Sequence, residues 1–326
     1  MHIACDIDGG DNAPSMGIDG VRKAASTWPE VMFTMIGVER NIDYLPSNVR
    51  HHIVTEVISP DDDPLKSVRN KVDSSLVVGC RSLKEGLYDA FISAGNTGAL
   101  MVSGLLHTGR IAGVERPALA PFFPTVSEKY MLVLDAGANP EAKAKHLHQY
   151  ALLGNLYAKY MLHLERPRVG LINIGTEEHK GTALIRETFS LLAKEPAINF
   201  IGNIEARELL SAACDVLICD GFNGNLLLKA AEGISSTVFR MIKNELSASI
   251  FSKCAAFLLR PAFRRLKKKM DYRQYGGVPF LGLAGPVFKA HGSSDAKAFF
   301  HAIKQAKLFL EADLLPRMKK EMQQFV

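Results

Sequence analysis

Short apolar runs recur along the chain, each followed by a glycine-rich turn and then an amphipathic stretch. The runs His2–Asp6, Val31–Gly37, His52–Val57, Ala90–Ala94, Tyr130–Asp135, Arg168–Ile174, Asn199–Gly202, Asp215–Cys219 and Pro286–Ala290 predict strands. Several are continuously apolar rather than alternating, as strands covered on both faces of a parallel sheet are. The segments Met16–Ser26, Leu65–Glu85, Thr97–His107, Lys145–His163, Gly181–Lys194, Asn225–Asn244 and Asp295–Asp313 predict helices. This alternation predicts an α/β fold with right-handed crossovers. Nothing resembling a repeat, a low-complexity tract or a long linker interrupts it, so residues 1–326 are read as a single α/β domain, with room for two lobes.

One segment breaks the pattern. Residues 246–270 hold no acidic residue, and Phe251, Cys254, Ala255, Leu258, Leu259, Ala262, Phe263 and Leu266 recur at helical spacing. Arg260, Arg264, Arg265, Lys267, Lys268 and Lys269 crowd its end. Pro261 lacks an N–H and clashes with the preceding turn, so it is expected to split the segment into two helices or to start the second. A basic amphipathic excursion of this kind suits an anionic membrane surface, an acidic protein partner or a dimer helix with a solvated flank.

Composition narrows the class without deciding it. Of 326 residues, 47% are hydrophobic and 22% charged, which excludes a disordered or fibrous chain. The net charge of +5 is compatible with an anionic ligand, but aromatic residues do not interleave with the basic run, so nucleic acid is not an expected partner. The five scattered cysteines include no C-x-x-C pair and read as reduced thiols of a cytoplasmic protein. The opening residues lack a basic n-region and meet an acid at Asp6, unlike a signal peptide. The uncharged stretch Ala90–Gly109 is long enough to span a bilayer, but its glycines and polar residues suit a buried strand, loop and helix better.

In open parallel sheets, ligands bind beyond the carboxyl ends of the strands. The segments after the strands are therefore where chemistry is expected. After the first comes Asp6-Ile7-Asp8-Gly9-Gly10-Asp11, whose glycines permit close backbone approach and whose carboxylates Asp6 and Asp11 can hold a hydroxyl or a cation, or cap a turn. Gly95-Asn96-Thr97-Gly98 leads into a helix, so its N–H groups and the helix dipole face a potential phosphate. The segment Gly175–Thr182 brings Lys180, a point charge for phosphate or simply a solvated lysine, and its residue order is not that of a Walker A loop. Asn203, Asp220, Asn223 and Asn225 follow two further strands. Asn side chains can orient a carbonyl or stabilise an oxyanion, and the same residues also suit turns and helix caps. His291 precedes Gly292, Ser293, Ser294 and Asp295, which read as N-caps, and it is the best candidate proton donor among the ten histidines. Together these loops describe a cleft rich in N–H, Asn and Lys whose natural guest is a small anion. The chain lacks G-x-S-x-G, H-E-x-x-H and G-x-G-x-x-G. His146-x-His148 supplies two local metal ligands and no third, so neither a metal nor another cofactor is expected.

Read in order, these motifs resemble the bacterial phosphate acyltransferases of phospholipid synthesis, the acyl-ACP:phosphate transacylases. The resemblance runs from Asp6-x-x-Gly9-Gly10-Asp11-x-Ala13-Pro14 through Arg69-x-Lys71-x-Asp73-Ser74-Ser75, Ser93–Ala99, Leu134–Asn139 and Asn173-Ile174-Gly175. It continues through Gly202–Glu205, Asp220-Gly221-Phe222-x-Gly224-Asn225, Tyr275-Gly276-Gly277-x-Pro279, Gly285-Pro286 and His291-Gly292. The family's opening usually reads Asp-Ala-Met-Gly-Gly-Asp, where this chain has Ile7 and Asp8, and Ala206 stands where a glycine is usual.

The resemblance implies a three-layer α/β/α sandwich with a mostly parallel sheet, similar to the phosphotransacetylase and isopropylmalate dehydrogenase group. It implies a homodimer that moves a long-chain acyl group from acyl carrier protein to inorganic phosphate. The acyl phosphate released would feed a membrane glycerol-3-phosphate acyltransferase, with the protein in peripheral contact with the inner face of the membrane. Phosphate is then itself the nucleophile, so the protein must hold two reactants in line and stabilise the thioester oxyanion. Phosphate binding is assigned to Gly95, Asn96, Thr97, Gly98 and Lys180, with Lys71 as a weaker candidate. Carbonyl contact is assigned to Asn225, supported by Asn203 and Asn223. Gly9, Gly10 and Asp220 belong to the substrate cleft, Asp6 and Asp11 orient partners in it, and His291 protonates the departing thiolate. The rivals are a short-chain phosphotransacetylase using acyl-CoA and a non-catalytic lipid-surface scaffold.

Overall fold

The computed structural model describes residues 1–126, 130–270 and 276–325, the side chains at 250, 254, 255 and 267–270 excepted. Its strands divide between two mostly parallel sheets. The first sheet contains β1 (His2–Asp6), β2 (Met32–Val38), β3 (Val49–Val54), β4 (Ala90–Ser93), β5 (Ala118–Leu119), β11 (Val278–Leu281) and β12 (Val287–Lys289), in the order β3-β2-β1-β4-β12-β11-β5. β3 to β12 of that order are mutually parallel, and β11 runs against both its neighbours. The second sheet contains β6 (Phe122–Pro124), β7 (Tyr130–Leu134), β8 (Arg168–Asn173), β9 (Asn199–Glu205) and β10 (Val216–Ile218), in the order β6-β7-β10-β8-β9, with only β6 antiparallel. β1, β4, β7 and β10 are buried or nearly so along their length, which is why they read as unbroken apolar runs.

Helices cover the sheets. They are α1 (Ser15–Thr27), α2 (Pro64–Asn70), α3 (Ser75–Lys84), α4 (Thr97–Ser103), α5 (Ala144–Met161), α6 (Ala183–Ala193), α7 (Gly221–Leu246), α8 (Ile250–Met270), α9 (Ala296–Glu311) and α10 (Leu314–Met322). Local chemistry fixes their starts: Asp63, Asn96, Thr182, Asp220 and Asp295 each accept a backbone N–H from the first turn of α2, α4, α6, α7 and α9. α5 buries Tyr150 and Tyr157 completely at the centre of the main core, and α9 adds Phe299, Ile303 and Phe309.

Four expectations about elements change. The predicted helix Leu65–Glu85 is two helices, because Asp73 leaves the helical path: its carboxylate accepts the N–H of Thr55 at 2.8 Å and its own N–H goes to Glu56 at 2.9 Å. The helix from Thr97 becomes a π-helical turn over Gly104–Thr108. Pro261 neither splits nor starts a helix but lies inside α8. There it removes one hydrogen bond at an exposed site, where the freed carbonyl of Phe257 is within reach of solvent. β5, β6, β11 and α10 have no counterpart among the predicted elements; each is short or follows a turn without a periodic signal.

Among the described residues, no helix is long and apolar enough to cross a membrane, and Ala90–Gly109 forms β4, α4 and the π turn. Cys5, Cys80, Cys214 and Cys219 are free and buried.

Candidate active site

The carboxyl edge of the first sheet is held by the side chain that ends β1. Asp6 is buried; one carboxylate oxygen accepts the N–H groups of Asp8 at 2.9 Å and Gly9 at 3.2 Å, and the other accepts the Ser93 hydroxyl at 2.6 Å. Ser93 Oγ in turn accepts the N–H of Gly95 at 2.9 Å. The two loops touch so closely that a Cβ on Gly9 would stand 2.4 Å from Gly95 N. Burial pushes the Asp6 carboxyl above its ordinary range, against the hydrogen bonds that pull it down. Asp6 thus organises the edge and does not line the cavity described below. Asp11 extends the same lock, its N–H donating to Gly292 O at 2.8 Å across to the loop after β12. Asp8, the departure from the family's opening, is turned away: it pairs with Arg40 and accepts the Val38 N–H at 2.7 Å.

Most of the predicted phosphate loop spends its donors and acceptors internally. Asn96 accepts from Ala99 N at 3.0 Å and donates to the main-chain oxygens of Pro60 at 3.0 Å and Asp62 at 3.1 Å. Lys71 is committed to Asp62 at 2.6 Å and Val57 O at 2.9 Å. Gly98 lies against the Pro64 ring. From this set, Thr97 lines the cavity.

On the second sheet a buried carboxylate does similar work after β7. Asp135 accepts the N–H groups of Leu119 at 2.9 Å, Gly137 at 3.2 Å, Ala138 at 3.0 Å and Asn139 at 2.6 Å. The Leu119 bond ties β5 of the first sheet to this loop, and the loop presents Gly137 to Asn225 near the start of α7. Asp220 is the N-cap of α7 and also accepts the Asn223 side-chain amide at 2.6 Å, so these two are occupied with each other. Asn225 makes no side-chain hydrogen bond among the described residues, which leaves its amide open. Asn203 is buried on β9, its amide donating to Glu177 O at 3.0 Å. Lys180 stands exposed on the loop after β8, 3.8 Å from Glu177. Neither Asn203 nor Lys180 lines the cavity.

The loops meet around a cavity of about 360 Å³, whose polar lining includes Thr97, Asn225, Lys229, Lys289, His291 and Ser294. His291 Nδ1 lies 3.2 Å from Ser293 N and receives its N–H, so the neutral imidazole carries its proton on Nε2. Lys289 has no counterpart among the predicted site residues. It ends β12, is 8% exposed, and donates to the main-chain oxygens of Ala94, at 2.9 Å, and Ala290. Burial lowers its ammonium pKa to about 8 from 10.5, with the Asp6 and Asp11 carboxylates opposing. Its signal in the sequence is a lysine inside the otherwise apolar run Pro286–Ala290, where an ionisable side chain has no solvated face. Asp135 likewise lies within the Leu134–Asn139 motif, where its residue type alone assigns it no role.

Beside the cavity, and sharing Leu228 with it, lies an apolar groove of about 660 Å³ lined by residues that include Phe123, Leu209, Leu227, Ile234, Val238 and Phe239. The groove follows α7, which together with α8 exposes Phe222, Leu226, Ile234, Met241, Phe251, Phe257 and Leu258. Arg260, Arg264 and Arg265 are exposed on α8; the side chains of Lys267, Lys268 and Lys269 lie outside the described residues, as does Tyr275. His146 and His148 are each paired with a separate carboxylate, Glu115 at 3.1 Å and Glu195 at 2.9 Å.

Known proteins are similar to this chain in sequence and in fold. Residues 1–317 match a family described as "Fatty acid synthesis protein". The phosphate acyltransferase of Bacillus pumilus is 48% identical, with 99% of this chain and 98% of that protein covered. The phosphate acyltransferase of Shouchella clausii is 46% identical, with 99% of each covered. Among solved structures, a phosphotransacetylase from Streptococcus pyogenes superposes with a TM-score of 0.61 at 14% identity, covering 97% of this chain and 94% of that one. A branched-chain phosphotransacylase from Enterococcus faecalis does so with a TM-score of 0.60 at 12% identity, over 95% and 100%. At such identities the likeness is one of fold, and it agrees with the mostly parallel α/β architecture that the motifs imply. The chain belongs to the fatty acid synthesis protein family, among its phosphate acyltransferases.

Proposed function

We propose that the protein transfers a long-chain fatty acyl group from the thioester of acyl carrier protein to inorganic phosphate. The observation that carries this reading is the cavity between the carboxyl ends of the two sheets, where Thr97, Asn225, Lys289 and His291 converge beside an apolar groove. The step needs no protein nucleophile. A phosphate oxygen attacks the thioester carbonyl carbon, a C–O bond forms, the C–S bond breaks, and its electron pair leaves on sulfur. The proton of hydrogen phosphate ends on the thiol, so acyl phosphate and free carrier thiol balance thioester and phosphate. Asn225, with its amide uncommitted, is suited to the carbonyl oxygen as it gains charge. The Nε2 of His291 is suited to the proton's path to sulfur. The adjoining groove suits the acyl tail, which favours a long-chain donor over acetyl-CoA. The assignment of Lys180 rests on its residue type and its position after β8, apart from the cavity.

The exposed apolar and basic faces of α7 and α8 support two further parts of the reading: a homodimer, and peripheral contact with an anionic membrane where acyl phosphate is handed to a glycerol-3-phosphate acyltransferase for phospholipid synthesis. The test is phosphate-dependent release of carrier thiol from long-chain acyl carrier protein, with hydroxylamine trapping of the acyl phosphate. Thiol release that ignores phosphate, or that occurs only from acetyl-CoA, would overturn the assignment.

A further inference from the structure

We propose that Lys289 is the cation that binds inorganic phosphate in this cavity, an assignment that rests on the phosphate-transfer reading. The argument begins with donors. A lysine ammonium has three N–H groups. Two of them go to Ala94 O and Ala290 O, and among the described residues no third acceptor is present. The side chain is more than nine-tenths buried yet forms part of the cavity wall. A buried charged donor without a partner is costly unless something in the site accepts from it.

The charge of the site says what that acceptor is. Among the described residues no carboxylate lines the cavity, while Lys289, Lys229 and His291 do. Lys229 already pairs with Glu232 at 3.0 Å and is exposed. Among the described residues Lys289 has no carboxylate within salt-bridge distance, and its two acceptors are neutral carbonyls; Asp6 and Asp11 favour its charged form from further off without accepting from it. The ligand that completes this set is a small oxyanion bearing several acceptor oxygens. Thr97, whose hydroxyl can also donate, stands on the same wall. A purely structural lysine would tie β4 to β12 through the same two carbonyls, and would leave phosphate affinity unaffected when replaced.

The groups that face Lys289 are Asp6 at the end of β1, Asp11 on the loop that follows, His291 after β12, and Lys229 on α7. A lowered ammonium pKa makes the binding charge itself titrate in an accessible range, so anion affinity is expected to fall as pH rises.

The test is calorimetric titration of the full chain with inorganic phosphate, and with sulfate, whose charge is constant above about pH 4. Lys289→Met is expected to weaken phosphate binding roughly ten- to hundredfold, with the KM for acyl carrier thioester within about twofold of wild type. Wild-type sulfate affinity is expected to fall about tenfold between about pH 7 and about pH 9, and Lys289→Arg to flatten that profile, which separates Lys289 from His291 and Lys229. Unchanged phosphate affinity in folded Lys289→Met would overturn the proposal. If neither variant folds, the wild-type sulfate profile decides, and a flat one overturns it. Phosphate binding that depends on Lys289 in a protein without acyl transfer would keep this assignment and sink the transfer reading. Transfer that survives in Lys289→Met with normal phosphate affinity would do the reverse.

Discussion

The two sheets each carry a lysine at their carboxyl edge, and the two lysines could hardly be placed more differently. Lys289 ends β12, buried, where three loops interlock through Asp6, Ser93, Gly95, Asp11 and Gly292. Lys180 sits on the open loop after β8, exposed, beside a glutamate it barely reaches. Residue type and position after a strand favour Lys180 as the phosphate lysine. Burial, an unspent donor and, among the described residues, a wall without carboxylates favour Lys289. A charge held in a low-dielectric site, with fixed neighbours, binds an anion more strongly than one that water already screens.

The sharpest way to break this contrast is to loosen one edge and then the other. Gly9→Ala would drive a Cβ into the backbone nitrogen of Gly95, 2.4 Å away, and against an Asp6 carboxylate oxygen at 2.5 Å. Neither neighbour can move without opening the lock between the β1 and β4 loops. We expect a loss of about 3 kcal/mol in urea unfolding, together with most of the phosphate affinity. A loss below about 1 kcal/mol would mean that the edge is softer than its hydrogen bonds imply.

The buried lysine should also mark the stability curve, and the sign is opposite to that of anion binding. Its folded pKa is about 8, against 10.5 for an unburied lysine. Between those values the unfolded chain binds more protons than the folded one, so stability rises with pH across that window. The gain is at most about 3 kcal/mol, and it should appear as the difference between wild type and Lys289→Met, since other lysines cancel. Parallel unfolding curves from pH 8 to pH 10 would show that Lys289 is solvated.

Asn225 tests the part of the site contributed by the second sheet. Its side chain makes no hydrogen bond among the described residues, so Asn225→Ala should leave the melting temperature within about 2 °C. If the amide meets the oxyanion, kcat falls roughly 10²-fold with phosphate affinity retained. A fall in phosphate affinity with kcat preserved would move Asn225 from the acyl group to the anion.

Much of this molecule is legible in its sequence, because burial on both faces leaves a plain trace. β1 is predicted residue for residue, and β4, β7, β8 and β10 to within two residues at either end. What the pattern hides are contacts between distant residues. The helix break at 71–74 depends on Asp73 meeting Thr55 and Glu56. The occupied state of Asn96 and Lys71 depends on the loop at 57–62 folding over them. Asp220 and Asn223 are close in sequence, which makes their mutual capping foreseeable; that Asn225 lies against Gly137 of the other loop is a contact between distant residues. Lys289 is only half legible: a lysine among apolar neighbours marks a cation without a solvated face, but that its strand lies inside the sheet, beside the β1 and β4 loops, is a matter of topology.

The smallest stability effects belong to the open loop, and they complete the contrast. A Cβ on Gly175 would meet first the carboxylate tip of Glu177, at 2.8 Å, a flexible side chain that can swing into solvent. Gly175→Ala is therefore expected to cost under about 1 kcal/mol, although the clash distance is close to that at Gly9. Lys180→Ala should cost within about 0.5 kcal/mol, because its ion pair is long and exposed. If Lys180 is catalytic, as its residue type and position after a strand imply, that variant still loses at least about tenfold in kcat while binding phosphate as wild type does, since the cavity wall is unaltered. A loss of phosphate affinity equal to that of Lys289→Met would put both lysines on the same anion. Unchanged turnover would leave the chemistry with the buried edge.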